Sequence, residues 1–174
     1  MELVVSADFG MTSRGTLRCG DALFDCALGR AGVTDGKCEG DGATPSGRFL
    51  LRRVLYRADR IKAPKTGLPI TALLETDGWC DAPDDPSYNR PITYPYPASA
   101  EHLWRDDSRY DVIVILGHND GPIVPGAGSA IFLHVAADNF SATEGCIALR
   151  QEDLITVLAH STAQSRIHIE SITP

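Results

Sequence analysis

The sequence predicts one mostly β domain, built of mixed sheets with short helices, and three features predict it. Short apolar runs recur between Gly- and Asp-rich turns, and the β-branched run Val112-Ile113-Val114-Ile115-Leu116 has no polar break. Helical apolar spacing occurs in one place, Asp153 to His160, with Glu152 and Asp153 suited to a first turn. A chain of 174 residues with 43% hydrophobic and 22% charged composition has the profile of a single globular domain spanning 1–174. At this length roughly 70% of the unfolded surface is buried, so a core forms without disulfides or metal.

In chain order, Leu3-Val4-Val5, Thr16-Leu17-Arg18-Cys19 and Leu23 to Leu28 read as short antiparallel strands between turn residues. Lys37 to Gly47 is too rich in Gly and turn formers for regular structure and reads as an ordered loop. Arg48 to Arg57 suits a strand with a bulge, because its alternation breaks at Leu50-Leu51. Residues 64–97 hold seven prolines and five acids, which argues against regular helices and reads as a long irregular loop segment, a functional insertion or lid. Val112 to Leu116 is then a central strand buried on both faces. Ala130 to Val135 is another, with His134 at its C-terminal end, and Arg166 to Glu170 alternates as the last strand.

Charge and cysteine content narrow the function. With 16 basic and 23 acidic residues the net charge is −7, which argues against a nucleic acid or an anionic membrane as partner. No apolar run reaches the roughly 20 residues of a membrane span, and the acid-flanked start Met1-Glu2-Leu3 lacks a signal peptide's pattern. The expectation is a cytoplasmic protein, or a periplasmic or envelope one if a leader has been removed. Cys19, Cys26, Cys38, Cys80 and Cys146 are odd in number with no CxxC pair, so neither zinc nor thioredoxin-type chemistry is indicated.

The chemistry concentrates in two places, Ile131-Phe132-Leu133-His134 and Thr143-Glu144-Gly145-Cys146-Ile147-Ala148-Leu149. An ordinary thiol near pKa 8.5 is about 3% thiolate at pH 7, so a nucleophilic cysteine needs a base or a cation. His134 is a candidate base, the Gly145 and Cys146 amides are candidate oxyanion donors, and the helix that follows would add its dipole. Taken alone, a cysteine between Gly and Ile is more often a small buried hydrophobe. The twelve-position spacing from His134 to Cys146 fits many geometries.

These residues resemble the L,D-transpeptidase, or YkuD-like, catalytic domain of bacterial peptidoglycan metabolism. That family carries a histidine at a strand end and then a Ser-His-Gly-Cys-Ile/Val-Arg type segment, and His134 and Thr143 to Ile147 fall on those positions. Upstream, Glu39-Gly40-Asp41-Gly42 and Thr44-Pro45-Ser46-Gly47 resemble the family's Gly-Asp/Thr-Pro-x-Gly segment. The likeness extends over roughly residues 15 to 160 and implies a YkuD-like mixed β-sheet sandwich. It implies Cys146 as nucleophile and His134 as general base. The Val135 carbonyl would orient the imidazole, and the Gly145 and Cys146 amides would receive the oxyanion. The chain departs from the pattern twice: Glu144 stands where the family has histidine, and Ala148 where it has arginine.

The implied reaction is attack of Cys146 on an L-centre to D-centre amide of a peptidoglycan stem peptide or muropeptide, through a thioacyl-enzyme. Transfer to an amine gives a crosslink, and transfer to water gives L,D-carboxypeptidase activity in muropeptide recycling. No metal or cofactor is implied. Arg150 is the candidate replacement for the motif arginine, and His118, Asn119 and Ser129 are candidates to line the cleft. Glu144, which would repel a thiolate, is expected to face solvent or pair with a cation. Cys38, beside Lys37 in a Gly-rich loop, is the competing thiol, and the basic run from Arg48 to Lys65 reads as a solvated strand face. The rival reading is a catalytically silent peptidoglycan-binding module. If His134 is the base, activity should fall as an ordinary imidazole protonates in the acidic range, and a flat profile down to pH 4 would count against it.

Overall fold

The computed structural model describes residues 1–8, 10 and 12–171. The first strands are β1 Glu2–Ala7, β2 Arg14–Cys19, β3 Ala22–Ala27, β4 Val33–Thr34, β5 Thr44–Pro45 and the long β6 Gly47–Tyr56. Then follow β7 Ile70–Ala72, β8 Asp77–Cys80, β9 Pro91–Thr93, β10 Ala100–His102, a 3-10 turn Ser108–Tyr110 and β11 Val112–Leu116. The chain continues with β12 Phe132–Val135, β13 Ile147–Leu149, helix α1 Gln151–Ala159 and β14 Arg166–Ile169. The fold is therefore mostly strand with one short helix, as the sequence predicts.

Nine strands pair in the order β11-β12-β13-β3-β2-β1-β14-β6-β7. β6 also pairs with β11, so the ladder closes on itself through the longest strand. The sheet is mixed: β12 with β13, β1 with β14 and β6 with β7 are parallel, and the other pairs are antiparallel. The break in alternation in β6 is a register shift, in which Ile115 faces Arg53 and Leu116 faces Leu51. The extra residue bends β6 between its partners on the two edges.

Two expectations need correction here. The proline-rich stretch 64–97 is not an irregular loop: it carries β7, β8 and β9, and β8 and β9 form a small sheet with β10. These strands have only three or four residues, too few for a period-2 signal, and Pro91 sits at the start of β9, where a missing N–H does no harm. Strand β12 begins at Phe132 rather than at Ala130, because Ala130 turns into the left-handed region at φ 52°.

Three adjacent strands, β11, β12 and β13, are buried along their whole length. Val112, Val114, Leu133, Val135, Ile147 and Leu149 point into the main core, which α1 covers with Leu154, Val157 and Leu158. The alternate residues Ile113, Ile115 and Phe132 point the opposite way, into a second apolar cluster with Leu73, Trp79, Leu103 and Tyr110 from the region of the small sheet. Trp79 meets Phe132 edge-on at 5.3 Å, the favoured geometry for an aromatic pair. The small sheet thus roofs the face on which Cys146 lies.

Leu133 is wholly buried where β12 faces both β11 and β13. Leu133→Ala should lower unfolding free energy by roughly 2 to 5 kcal/mol, and Leu23→Ala, 66% exposed, by no more than about 0.5 kcal/mol. Urea denaturation of the two variants checks the assignment of core and surface.

Candidate active site

Cys146 sits at the turn into β13, and its thiol is held by backbone. The Phe132 N–H donates to Sγ at 3.3 Å, and the thiol donates to the Ala130 carbonyl at 3.2 Å. The strand register explains the placement: Leu133 pairs with Ile147 and His134 with Ala148, so Cys146 lies opposite Phe132. Gly145 must be glycine, since its φ is 137° and a Cβ would lie 2.8 Å from the Ala43 carbonyl. Thr143 ties the loop, donating to the Cys146 carbonyl at 2.7 Å and accepting the Gly145 N–H at 3.1 Å. That bond corrects one expectation, because the Gly145 amide is engaged inside the loop and is not presented to an oxyanion.

His134 lies two residues along β12 from Phe132, on the same face. Its Nδ1 is 2.8 Å from the Val135 carbonyl, which assigns the proton to Nδ1 and leaves Nε2 as a lone pair. Tyr110 packs edge-on against the imidazole, 5.3 Å between ring centres. A cavity of about 400 Å³ opens onto Cys146 and His134 together, with Ser129, Ala148 and Glu144 also on its wall.

The other residues singled out in the sequence separate. Ser129 is buried on the cavity wall. Arg150 is not on that wall: it precedes α1, and its guanidinium lies 5.5 Å from the Phe140 ring centre. Two residues past Ala148 would keep the face on a continuing strand, but β13 ends at Leu149 and the chain turns. His118 and Asn119 do not line this cavity either. His118 Nε2 contacts the Ala127 carbonyl at 2.9 Å and borders a separate cavity. Asn119 bonds the Val124 N–H and the carbonyls of Val124 and Gly128, closing the loop between β11 and β12. The dipole of α1 is also misplaced, because the three residues of β13 separate Cys146 from the helix start. Glu144 is 78% exposed and pairs with Arg30 at 2.9 Å.

Several site residues carry no sequence signal of their own. Asn89 accepts from Trp79 Nε1 at 3.0 Å and from the Ala130 N–H at 3.2 Å, and it donates to the His118 and Asn119 carbonyls. It thereby fixes Ala130, whose carbonyl takes the thiol. Glu101, Arg105, Arg109 and Tyr110 reach the cavity from the segment before β11. Lys37 is nearly buried beside Gly128 and Gly145 and pairs with Asp41.

Burial dominates the electrostatics. It pushes the Cys146 thiol up to about 12, and the Glu101 carboxylate adds to the rise, while the Phe132 N–H and the Lys37 ammonium oppose it. Burial likewise pushes His134 down to about 4, with Arg109 and Arg105 lowering it further against the Val135 carbonyl bond and Asp107. Thiol and imidazole are therefore both neutral at pH 7. Burial raises Glu101 against the Tyr110 hydroxyl bond and Arg105. An acid limb at an ordinary imidazole pKa is thus not expected, because the ring is desolvated.

The L,D-transpeptidase catalytic domain model, YkuD, matches residues 14–169. No curated protein matches the chain. Among solved structures, the crystal structure of Mycobacterium tuberculosis L,D-transpeptidase 1 is similar, at 16% sequence identity with a TM-score of 0.40. The alignment covers 97% of this chain and 61% of that one, so the chain spans about three fifths of that protein's length.

A buried neutral histidine leaves a mark on stability. With His134 at about 4 in the fold and near 6.5 unfolded, the unfolded chain binds more protons between those values. Stability is then full above pH 6.5 and is lost as pH falls toward 4, by about 3 kcal/mol at most. His118, also lowered by burial, adds to the same window. His134→Gln should therefore show a smaller loss of urea stability between pH 6.5 and 4 than the wild type, and an identical slope would refute the buried neutral imidazole.

Proposed function

Because the chain belongs to the YkuD family of L,D-transpeptidase catalytic domains, we propose that it is a cysteine acyl-transfer enzyme acting on peptidoglycan stem peptides. The observation that carries the reading is the shared cavity, where Cys146 and an imidazole held at Nδ1 by the Val135 carbonyl line one wall. The nucleophile is Cys146 and the base is His134 Nε2.

In the resting site the thiol proton points to the Ala130 carbonyl. When the donor peptide enters, that proton moves to His134 Nε2 as sulfur attacks the carbonyl carbon of the L-to-D amide, and a C–S bond forms. The Cys146 N–H takes the oxyanion, and the Phe132 N–H, already on Sγ, steadies the sulfur. His134 then gives its proton to the leaving nitrogen as the C–N bond breaks, releasing the terminal D-residue and leaving the thioacyl-enzyme. An amine or a water attacks that thioester, with His134 accepting its proton and returning it to sulfur. Amine attack makes an L,D-crosslink, and water attack makes the enzyme an L,D-carboxypeptidase. Water attack serves muropeptide recycling in the cytoplasm, and amine attack serves crosslinking in the periplasm or cell envelope.

Incubation with a carbapenem should add one covalent adduct, mapped by peptide mass spectrometry to Cys146 and lost in Cys146→Ala. Mapping matters because Cys38 is exposed. No adduct and no turnover of a tetrapeptide muropeptide would instead support a silent binding module. A crosslinked product with donor and amine acceptor together separates transfer from hydrolysis.

The pH profile tests the base. His134 must be neutral to accept the thiol proton, and it stays neutral down to about 4. The kcat/KM profile should be level from pH 8 to about 5 and fall below, whereas a limb centred near 6.5 would exclude the buried imidazole as the base.

A further inference from the structure

Two arginines in the cavity have no part in the thiol chemistry. Arg105 and Arg109 line the same wall system as Cys146 and His134, and the loop that carries them is braced from the turn that follows β6. Arg57 Nη1 donates to the Arg105 carbonyl at 2.6 Å, with its guanidinium 3.6 Å from the Trp104 ring centre. Arg60 donates to the carbonyls of Asp106 and Asp107 at 2.9 and 2.8 Å and pairs with Asp111 at 2.9 Å. The last residue of the turn, Tyr110, is buried against Phe132 and His134. The arginine backbones are thus fixed relative to the imidazole, which removes much of the ordering cost of binding.

Their side chains keep free donors. Asp107 accepts from Arg105 Nε and Nη2 at 2.9 and 2.7 Å and lies 3.6 Å from Arg109 Nε. Among the described residues, Arg105 Nη1 and both terminal nitrogens of Arg109 have no hydrogen-bond partner, and the three groups together carry one net positive charge. The Tyr110 ring lies 5.3 Å from the His134 ring centre and 5.3 Å from the Arg105 guanidinium, and Arg109 belongs to the same turn, so both arginines lie on the imidazole's side of the cavity. Ala148, paired with His134 across the strands, contributes only a methyl group and leaves room beside the ring. Glu39, Asp81 and Glu101 also line the cavity and would repel an anion, so a carboxylate has one favourable place there.

The proposed reaction puts a carboxylate in that place. His134 must reach the leaving nitrogen to protonate it, and in a terminal residue the carboxylate carbon is about 2.5 Å from that nitrogen. A group flanking His134 therefore meets the carboxylate of the leaving residue. Resting on the acyl-transfer reading, we propose that Arg105 and Arg109 form a site for the terminal carboxylate of the leaving D-residue. Arginine suits this role because its planar fork matches a carboxylate.

The test compares the tetrapeptide L-Ala-γ-D-Glu-L-Lys-D-Ala as free acid and as C-terminal amide, following release of D-alanine or D-alaninamide. The wild type should favour the acid by about 10- to 100-fold in kcat/KM, the range set by charge-assisted hydrogen bonds. Arg109→Gln should lose at least ten times more activity on the acid than on the amide, chiefly through KM. Arg105→Gln should do the same, and Arg109→Lys should recover part of the preference. Circular dichroism melts verify that each variant is folded. Equal losses on both peptides would make the arginines structural and overturn the site. A wild type that handles acid and amide alike would overturn the site while leaving the acyl-transfer reading intact. A folded wild type that turns over neither peptide would overturn that reading, and the carboxylate site with it.

Discussion

The site depends on one constraint, the burial of β12 and β13 on both faces at once. A strand has a period of two, so filling the main core with Leu133, Val135, Ile147 and Leu149 forces Phe132, His134, Cys146 and Ala148 onto the opposite face. A slip of one residue would bury His134 in the main core and turn its apolar neighbours toward the cavity face. The parallel register of Leu133 with Ile147 is thus set by hydrophobic burial, and the juxtaposition of thiol and imidazole follows from it. The roof of Trp79, Leu103 and Tyr110 dries the second face, and that desolvation moves both pKa values.

Much of this was legible because it is written in local pattern. The β-branched run 112–116 announces a strand buried on both faces, and Cys146 and His134 stand out once placed on a known pattern. What stayed illegible depends on contacts between distant positions. Arg57 and Arg60 fall in a basic run that reads as a solvated face, yet Arg57 is 4% exposed, and the two brace a loop more than forty residues away. Asn89 lies among prolines and acids, where an asparagine ordinarily signals a turn. Only its four bonds across the fold reveal that it holds the thiol's acceptor in position. His118 and Asn119 illustrate the converse: polar residues after a central strand read as cleft lining, but their side chains are spent on the loop's own carbonyls.

The left-handed pair Asn89 and Ala130 shows where the fold accepts strain to shape the site. Neither is glycine, and a positive φ at Ala130 is unfavourable by itself. It persists because the Ala130 N–H is bonded to Asn89 Oδ1 and because extended backbone there would redirect the carbonyl that holds the Cys146 thiol. Sequence propensity favours a strand from Ala130 onward. Tertiary hydrogen bonding overrides it at this residue, and the chain resumes the strand at Phe132, whose N–H is then free to face sulfur.

The same burial that assembles the pair keeps it neutral. A cysteine nucleophile is commonly activated in advance by a neighbouring cation, but here Lys37, the cation that acts against the rise at Cys146, is paired with Asp41, and Glu101 opposes it. A dry site with a thiol near 12 and an imidazole near 4 holds almost no thiolate at rest. In the proposed reaction proton transfer is then coupled to attack, with the developing charges stabilised only when a carbonyl stands at the Cys146 amide and a leaving nitrogen at His134. On that reading the thiol is activated only by a ligand that fills the cavity. On that reading reactivity is tied to the shape and charge of the donor peptide, because binding supplies polar partners to the thiol and the imidazole.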